Sequence, residues 1–171
     1  RLTQASTPSG WFARFPLPTP PPLNPQDGGV VFADIADPGN LGTLIRSAAA
    51  FGISQVVAIG GADPWGSKVV QASAGSLAAV AVHLFDPEQG LTPLAGAPRA
   101  ALVVTGGADP STMPIIPRWL VVGSEAHGVR EEWLSQCEER ITLPMSGRVE
   151  SLNAAVAGSI TCYLLMRRNA R

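Results

Sequence analysis

Three short stretches of the chain gather polar groups of the kinds that bind anions, orient hydroxyls or cap helices. The first is Asp37-Pro38-Gly39-Asn40-Leu41-Gly42-Thr43-Leu44-Ile45-Arg46. Asn40 is a good N-cap, and Arg46 lies on the first turns of the helix it would open. A helix N-terminus with an Arg beside it is a site for an anion, a phosphate among them; an Asn cap and a surface Arg on an ordinary helix are the plainer alternative. The second is Val121-Val122-Gly123-Ser124-Glu125-Ala126-His127-Gly128. Gly123 and Gly128 allow backbone to approach a ligand closely, and Glu125 sits between them; the alternative is a turn with a solvated Glu. His127 has no paired acid to orient it and reads as a loop residue. The third is Ile141-Thr142-Leu143-Pro144-Met145-Ser146-Gly147, followed by Glu150-Ser151-Leu152-Asn153. Leu143 and Met145 can line an apolar slot for a flat base. Ser151 and Asn153 would point toward the same cavity from the first turn of the last helix, although capping of a buried helix explains either one alone.

The elements that must position these stretches follow a regular rhythm. Apolar strands are predicted at 30–35, 56–59, 81–85, 101–105, 119–123 and 140–143. Helices are predicted at 41–51, at 67–80 (weakened by Gly75), weakly between the third and fourth strands, at 130–137 and at 149–168. Near-continuous apolar strands alternating with helices indicate a Rossmann-like α/β domain, a parallel sheet covered on both faces. Ligands of such sheets bind beyond the carboxyl ends of the strands, and each of the three stretches falls at such an end.

Residues 1–29 read as a proline-rich arm or linker, because Pro16-Leu17-Pro18-Thr19-Pro20-Pro21-Pro22 can build neither a helix nor a central strand. Residues 30–171 form the domain, and Trp11, Phe12 and Phe15 are expected to dock on it. Gly-Gly-Ala-Asp-Pro occurs at both 60–64 and 106–110, which reads as reused turn chemistry and not as a true repeat.

Composition narrows the function classes. With 46% hydrophobic and 15% charged residues among 171, the chain can bury a real core. A net charge of −1 excludes a global basic field for nucleic acid, so any such contact is local. Eleven of the twelve basic residues are Arg, which grips phosphate with two hydrogen bonds at once. Cys137 and Cys162 lack His at ligand spacing and read as free buried thiols in a reducing cytosol, which speaks against a zinc site. The C-terminal apolar run is interrupted by Ser151, Asn153, Ser159 and Thr161 and reads as a buried helix, not a membrane span. There is no G-x-G-x-x-G after a strand, no phosphate-binding P-loop, no H-E-x-x-H, no Cys-x-x-Cys pair and no G-x-S-x-G elbow.

Together and in this order, the three stretches resemble the SpoU/TrmH branch of the SPOUT methyltransferases. Residues 37–52 look like its first motif, 120–128 like its second, and 141–153 with the following helix like its third, including Pro-Met-x-Gly and Ser-Leu-Asn. The likeness covers roughly residues 30–168. It implies a C-terminal trefoil knot and a cytoplasmic homodimer with a shared active site. The implied activity is S-adenosylmethionine-dependent methyl transfer to a ribose 2′-hydroxyl of ribosomal or transfer RNA, without a metal. By this resemblance Gly123, Leu143 and Leu152 contact the cofactor, with Thr105, Gly106 and Met145 as neighbours. Asn40, Arg46, Glu125, Ser151 and Asn153 match the polar site residues. The family assigns Arg46 the role of general base; since a guanidinium stays protonated in proteins, a phosphate clamp that orients the hydroxyl is the better expectation. Ala126 departs from the Gly usual after the second motif's Glu. Many relatives also carry an N-terminal RNA-binding domain, where this sequence shows the proline-rich arm; either such a domain is missing from the sequence, or RNA is held by the dimer surface and its Arg residues. The alternatives are a non-catalytic RNA-binding member of the same fold and a small nucleotide-dependent oxidoreductase, the latter disfavoured by the missing glycine-rich fingerprint.

Overall fold

The computed structural model describes residues 16–114 and 116–169. Trp11, Phe12 and Phe15 therefore lie outside the described residues. Among the described residues six strands form one sheet: β1 (Gly29–Ala33), β2 (Gln55–Ile59), β3 (Ala81–Phe85), β4 (Arg99–Leu102), β5 (Trp119–Val122) and β6 (Glu139–Ile141). Their spatial order is β3-β2-β1-β5-β4-β6 and every pairing is parallel. Four helices accompany them: α1 (Pro38–Ala50), α2 (Ser67–Ala72), α3 (Glu131–Leu134) and α4 (Ala154–Asn169).

The apolar strands bury both faces, as a covered parallel sheet requires. Val30 and Phe32 of β1, Val56 of β2, and Leu120 and Val122 of β5 join Leu41, Leu44, Ile45 and Ala48 of α1 and Ala155, Cys162 and Leu165 of α4 in one core. The alternate residues Val31, Ala33, Val57, Ile59, Trp119 and Val121 point the other way, onto Leu91, Leu94, Ala97 and Trp133. From β1 the chain steps outward through β2 to β3 and then crosses to the other half of the sheet. The order thus reverses between β1 and β5, and at such a switch point the loops leave toward opposite faces and open a crevice.

Several boundaries differ from the sequence expectation, for identifiable reasons. Helix α1 starts at Pro38, not Leu41, and its cap is Asp37, whose side chain accepts the Asn40 amide at 2.8 Å; proline's fixed φ suits the first helical position. The expected 67–80 helix is cut to α2 and a 3-10 turn (Ser76–Ala79), because Ala74 and Gly75 both take left-handed φ, 50° and 86°. The weak helix before β4 reduces to a 3-10 turn (Thr92–Leu94). β4 begins at Arg99 and ends at Leu102, ahead of the predicted span, since the Arg99 amide and guanidinium both bind the Glu138 carboxylate beside β6. α4 starts only at Ala154, so Ser151 and Asn153 precede the helix; residues 149–153 are exposed and have no core to wind against.

Two further features bear on the sequence reading. The repeated Gly-Gly-Ala-Asp-Pro is the same turn twice: Asp63 accepts the Trp65 amide and Asp109 the Ser111 amide, while the Ala62 and Ala108 amides each donate to a neighbouring strand end or the residues just past it. The end of the arm is fastened under the sheet. Trp119 Nε1 donates to Pro25 O at 2.8 Å, Arg118 Nη1 to Gln26 O at 2.6 Å, and Gln55 Nε2 to Asn24 O at 3.1 Å.

Candidate active site

With Asp37 capping α1, the Asn40 side chain is released from capping and points outward across the crevice. Its Nδ2 donates to Glu125 Oε1 at 2.6 Å, and its Oδ1 accepts from Asn153 Nδ2 at 3.2 Å. The direction of this chain is fixed at one end. Asn153 Oδ1 accepts the amides of Ala155 and Val156, at 2.9 and 3.2 Å, and so caps α4. The Asn153 amine must then face Asn40, and the Asn40 amine must face Glu125. The N-terminus of α4, the first turn of α1 and the loop after β5 are thereby tied into one polar junction.

Glu125 is carried by a tight loop. Ser124 and Gly128 exchange backbone hydrogen bonds of 3.0 and 2.9 Å, and Gly128 has φ 67°. The glycines serve the loop itself as well as any ligand. A Cβ on Gly123 would run into the backbone of Gly128 and Val129, so only glycine lets the loop fold back at this point. His127 is exposed, and its amide donates to Ser124 Oγ. On the far side, Thr142 Oγ1 accepts the Gly107 amide at 2.9 Å and donates to Val103 O at 3.2 Å, which holds the chain after β4 against the chain after β6.

Between these loops lies a cavity of about 640 Å³ at the carboxyl ends of β4, β5 and β6. Of the residues singled out from the sequence, Gly123, Glu125, Leu143, Met145, Ser151 and Leu152 line it. Asn40 and Asn153 reach it through Glu125. Two expected neighbours, Thr105 and Gly106, are outside the lining; Leu102, Val103 and Val104 form that wall instead, because β4 ends three residues earlier than its apolar run. Arg46 is also outside it. It is exposed and lies roughly 120° around α1 from Asn40 at 100° per residue. Ser47, on Asn40's side of the helix, meets the Ser159 hydroxyl of α4 at 2.7 Å. Sequence reasoning missed Glu131 and Leu134, which line the cavity from α3; the only signal was that a helix follows the Glu125 loop at once.

Glu125, Glu131 and Glu150 stand in the lining with the apolar Leu143, Met145 and Leu152, so the cavity offers a ligand both apolar surface and negative charge. Burial pushes the Cys137 thiol up to about 11 and that of Cys162 up to about 12, which leaves both inert as nucleophiles. Among the described residues no group of His, Cys, Asp and Glu is placed to hold a metal ion, and no helix is long and apolar enough to cross a membrane. A smaller hollow of about 270 Å³ at the amino ends of the strands, beside Arg118 and Cys162, is lined by none of Asn40, Arg46, Glu125, Ser151 and Asn153.

Comparison with known proteins places this geometry. A model of the SpoU rRNA Methylase family matches residues 29–163. The chain is 32% identical to a 23S rRNA (uridine(2479)-2′-O)-methyltransferase of Streptomyces viridochromogenes, over 82% of this chain and 52% of that protein. It is 33% identical to the 23S rRNA (guanosine(2553)-2′-O)-methyltransferase RlmP of Bacillus subtilis (strain 168), over 77% and 54%. The crystal structure of an AdoMet-bound rRNA methyltransferase from Sinorhizobium meliloti superposes with a TM-score of 0.78 at 31% identity, covering 85% of this chain and 59% of that one. The chain thus spans about half the length of the curated relatives it matches.

Proposed function

The chain belongs to the SpoU rRNA Methylase family, and on that premise we propose that it transfers a methyl group from S-adenosylmethionine to a ribose 2′-hydroxyl of ribosomal or transfer RNA. The observation that carries this reading is the junction of Asn40 with Glu125 and Asn153 beside a cavity of cofactor size. Three motifs far apart in sequence converge there on one crevice.

The lining fits the cofactor. Leu143, Met145 and Leu152 offer an apolar wall for adenine, Gly123 presents bare backbone, and the carboxylates of Glu125, Glu131 and Glu150 complement a sulfonium and an ammonium. When bound, S-adenosylmethionine supplies a methyl group already activated by its positively charged sulfur. What remains for the chain is to align an RNA hydroxyl and to hold the strand that bears it. Arg46 clamps the RNA phosphate through its permanently protonated guanidinium. The Ser151 hydroxyl and the Asn153 amide orient the ribose, and Asn40 and Glu125 hold the loops in register. Thr105 and Gly106 close the cofactor site from beside the Val103–Val104 wall.

Two features support a homodimer in which one protomer's Arg46 serves its partner's cavity. Arg46 is exposed and stands outside the lining of its own protomer's cavity. On α4, Val156, Ile160 and Tyr163 form an exposed apolar stripe at helical spacing, with 47, 40 and 41% exposure. The trefoil threading of the last three strands and α4 belongs to the same proposal, as does a cytoplasmic location, where S-adenosylmethionine and unmodified RNA are both available.

Calorimetric titration with S-adenosylmethionine, followed by mapping of 2′-O-methyl sites in cellular RNA with and without the gene, tests the reading. Saturable binding and the loss of a methylated ribose are expected. Absence of cofactor binding would overturn it in favour of a non-catalytic RNA-binding member of the fold.

A further inference from the structure

Asp34, the residue after β1, holds φ 55°, a left-handed conformation that is uncommon outside glycine. Its amide donates to Ile59 O at 2.8 Å, so the turn is tied to the end of β2. Its carboxylate accepts Nε of Arg130 at 2.5 Å. The Arg130 guanidinium lies 4.7 Å from the centroid of the Trp133 ring, and its Nη1 reaches Glu132 at 3.4 Å. Trp133 itself is buried in the core below the sheet. Asp34 thus meets an arginine that is already braced on a fixed indole.

The position of Arg130 gives this pair its significance. Gly128 and Val129 before it, and Glu131 and Leu134 after it, all line the 640 Å³ cavity, whereas Arg130 turns away to Asp34. Its carbonyl receives the amides of Trp133 and Leu134 and so opens α3. The Glu125 loop is fixed at its entrance by β5. At its exit the side-chain anchors are the buried Val129 and the Arg130–Asp34 contact. We propose that Asp34 and Arg130 are positioning residues for the cofactor cavity: the pair pulls the exit of the Glu125 loop and the start of α3 onto the end of β1 and sets the width of the cavity. The Arg130 side chain is 48% exposed and that of Asp34 23%, so the pair is too accessible to decide whether the domain folds. It is well placed to decide where a short loop rests. The cofactor part of this inference depends on the function proposed above; the loop part does not.

The test uses Asp34→Gly, in which the left-handed backbone is relaxed while the carboxylate is removed, Arg130→Met, and the double variant. Hydrogen exchange of the segment 124–134 and the dissociation constant for S-adenosylmethionine are measured, with the melting temperature as a control. Each single variant should speed exchange at the Ser124, Gly128 and Leu134 amides several-fold and weaken cofactor binding about five-fold. The double variant should be no worse than either single one, because both remove the same contact. Arg130→Lys, which keeps the charge, should recover part of the protection. Unchanged exchange in both single variants would overturn the proposal whether or not the protein binds the cofactor. Faster exchange with undiminished cofactor affinity would overturn the positioning role. If the wild-type chain binds no S-adenosylmethionine, the methyl-transfer reading fails, and the exchange data still judge the latch.

Discussion

Asn40 Nδ2 and Glu125 Oε1 lie 2.6 Å apart although 85 residues separate them in the chain. This bond joins the helix that follows β1 to the loop that follows β5, across the switch point of the sheet. Asn40→Asp should be worse than Asn40→Ala, because it keeps the acceptor for Asn153 Nδ2 but replaces the donor to Glu125 with a second carboxylate. We expect Asn40→Ala to lower methyl transfer about ten-fold and Asn40→Asp about a hundred-fold, the difference corresponding to roughly 1–2 kcal/mol of like-charge contact. Transfer of labelled methyl from S-adenosylmethionine to RNA measures both, and equal activities would count against the assigned amide direction.

Gly123 is fixed by sterics. A Cβ there meets the backbone of Gly128 and Val129, and backbone cannot yield as a flexible side chain can. Gly123→Ala should lower stability by about 1–3 kcal/mol and weaken cofactor binding by opening the loop. Urea unfolding beside calorimetry checks this; an unchanged unfolding midpoint with unchanged affinity would contradict it.

The placement of Arg46 leads to a complementation experiment. Arg46→Lys should keep cofactor affinity and lose most turnover, since a point charge cannot replace a bidentate grip on phosphate. If the arginine acts across a dimer, mixing the weakened Arg46→Ala and Glu125→Ala variants should raise activity above that of either alone, because a mixed dimer contains one complete site. About a quarter of wild-type activity is expected on random mixing. No recovery would assign Arg46 to its own protomer's cavity.

The same assembly makes Ile160→Glu informative. A charge at the centre of the exposed α4 stripe should convert the protein to monomers in sedimentation and abolish turnover, with the melting temperature falling only by the loss of association. A stable dimer in this variant would locate the interface elsewhere.

His83 sets a pH dependence of stability. It is buried on the edge strand β3, its Nε2 has no hydrogen-bond partner, and burial holds its pKa below the ordinary 6.5. The folded state therefore resists a proton that the unfolded state takes up. The resulting stability is present above about pH 6.5 and is lost as pH falls toward the depressed folded value. Chemical denaturation between pH 7.5 and 5 should show this decline, and His83→Leu should flatten it. The lowered carboxyl groups, Glu138 and Asp109, contribute only at more acidic pH.

Much of this protein was legible in the residues alone. Runs such as 30–33, 56–59 and 119–122 are apolar at every position, and only a sheet covered on both faces can bury them, so the fold class followed from hydrophobic burial. The three polar stretches were visible because each falls at the end of such a run. Boundaries were less legible: Asp37 displaced Asn40 as the cap because one side-chain hydrogen bond decided between two good candidates. Tertiary structure alone decided which polar groups meet. Nothing in the spacing of Asn40, Glu125 and Asn153 says that one amide bridges the other two, or that Asp34 reaches Arg130, because these contacts depend on the strand order β1-β5-β4-β6, which local sequence does not encode. Nor does spacing say that Arg46 lies outside the cavity lining; the packing of α1 on α4 covers the helix face that holds Leu44 and Ser47 and leaves Arg46 exposed to solvent.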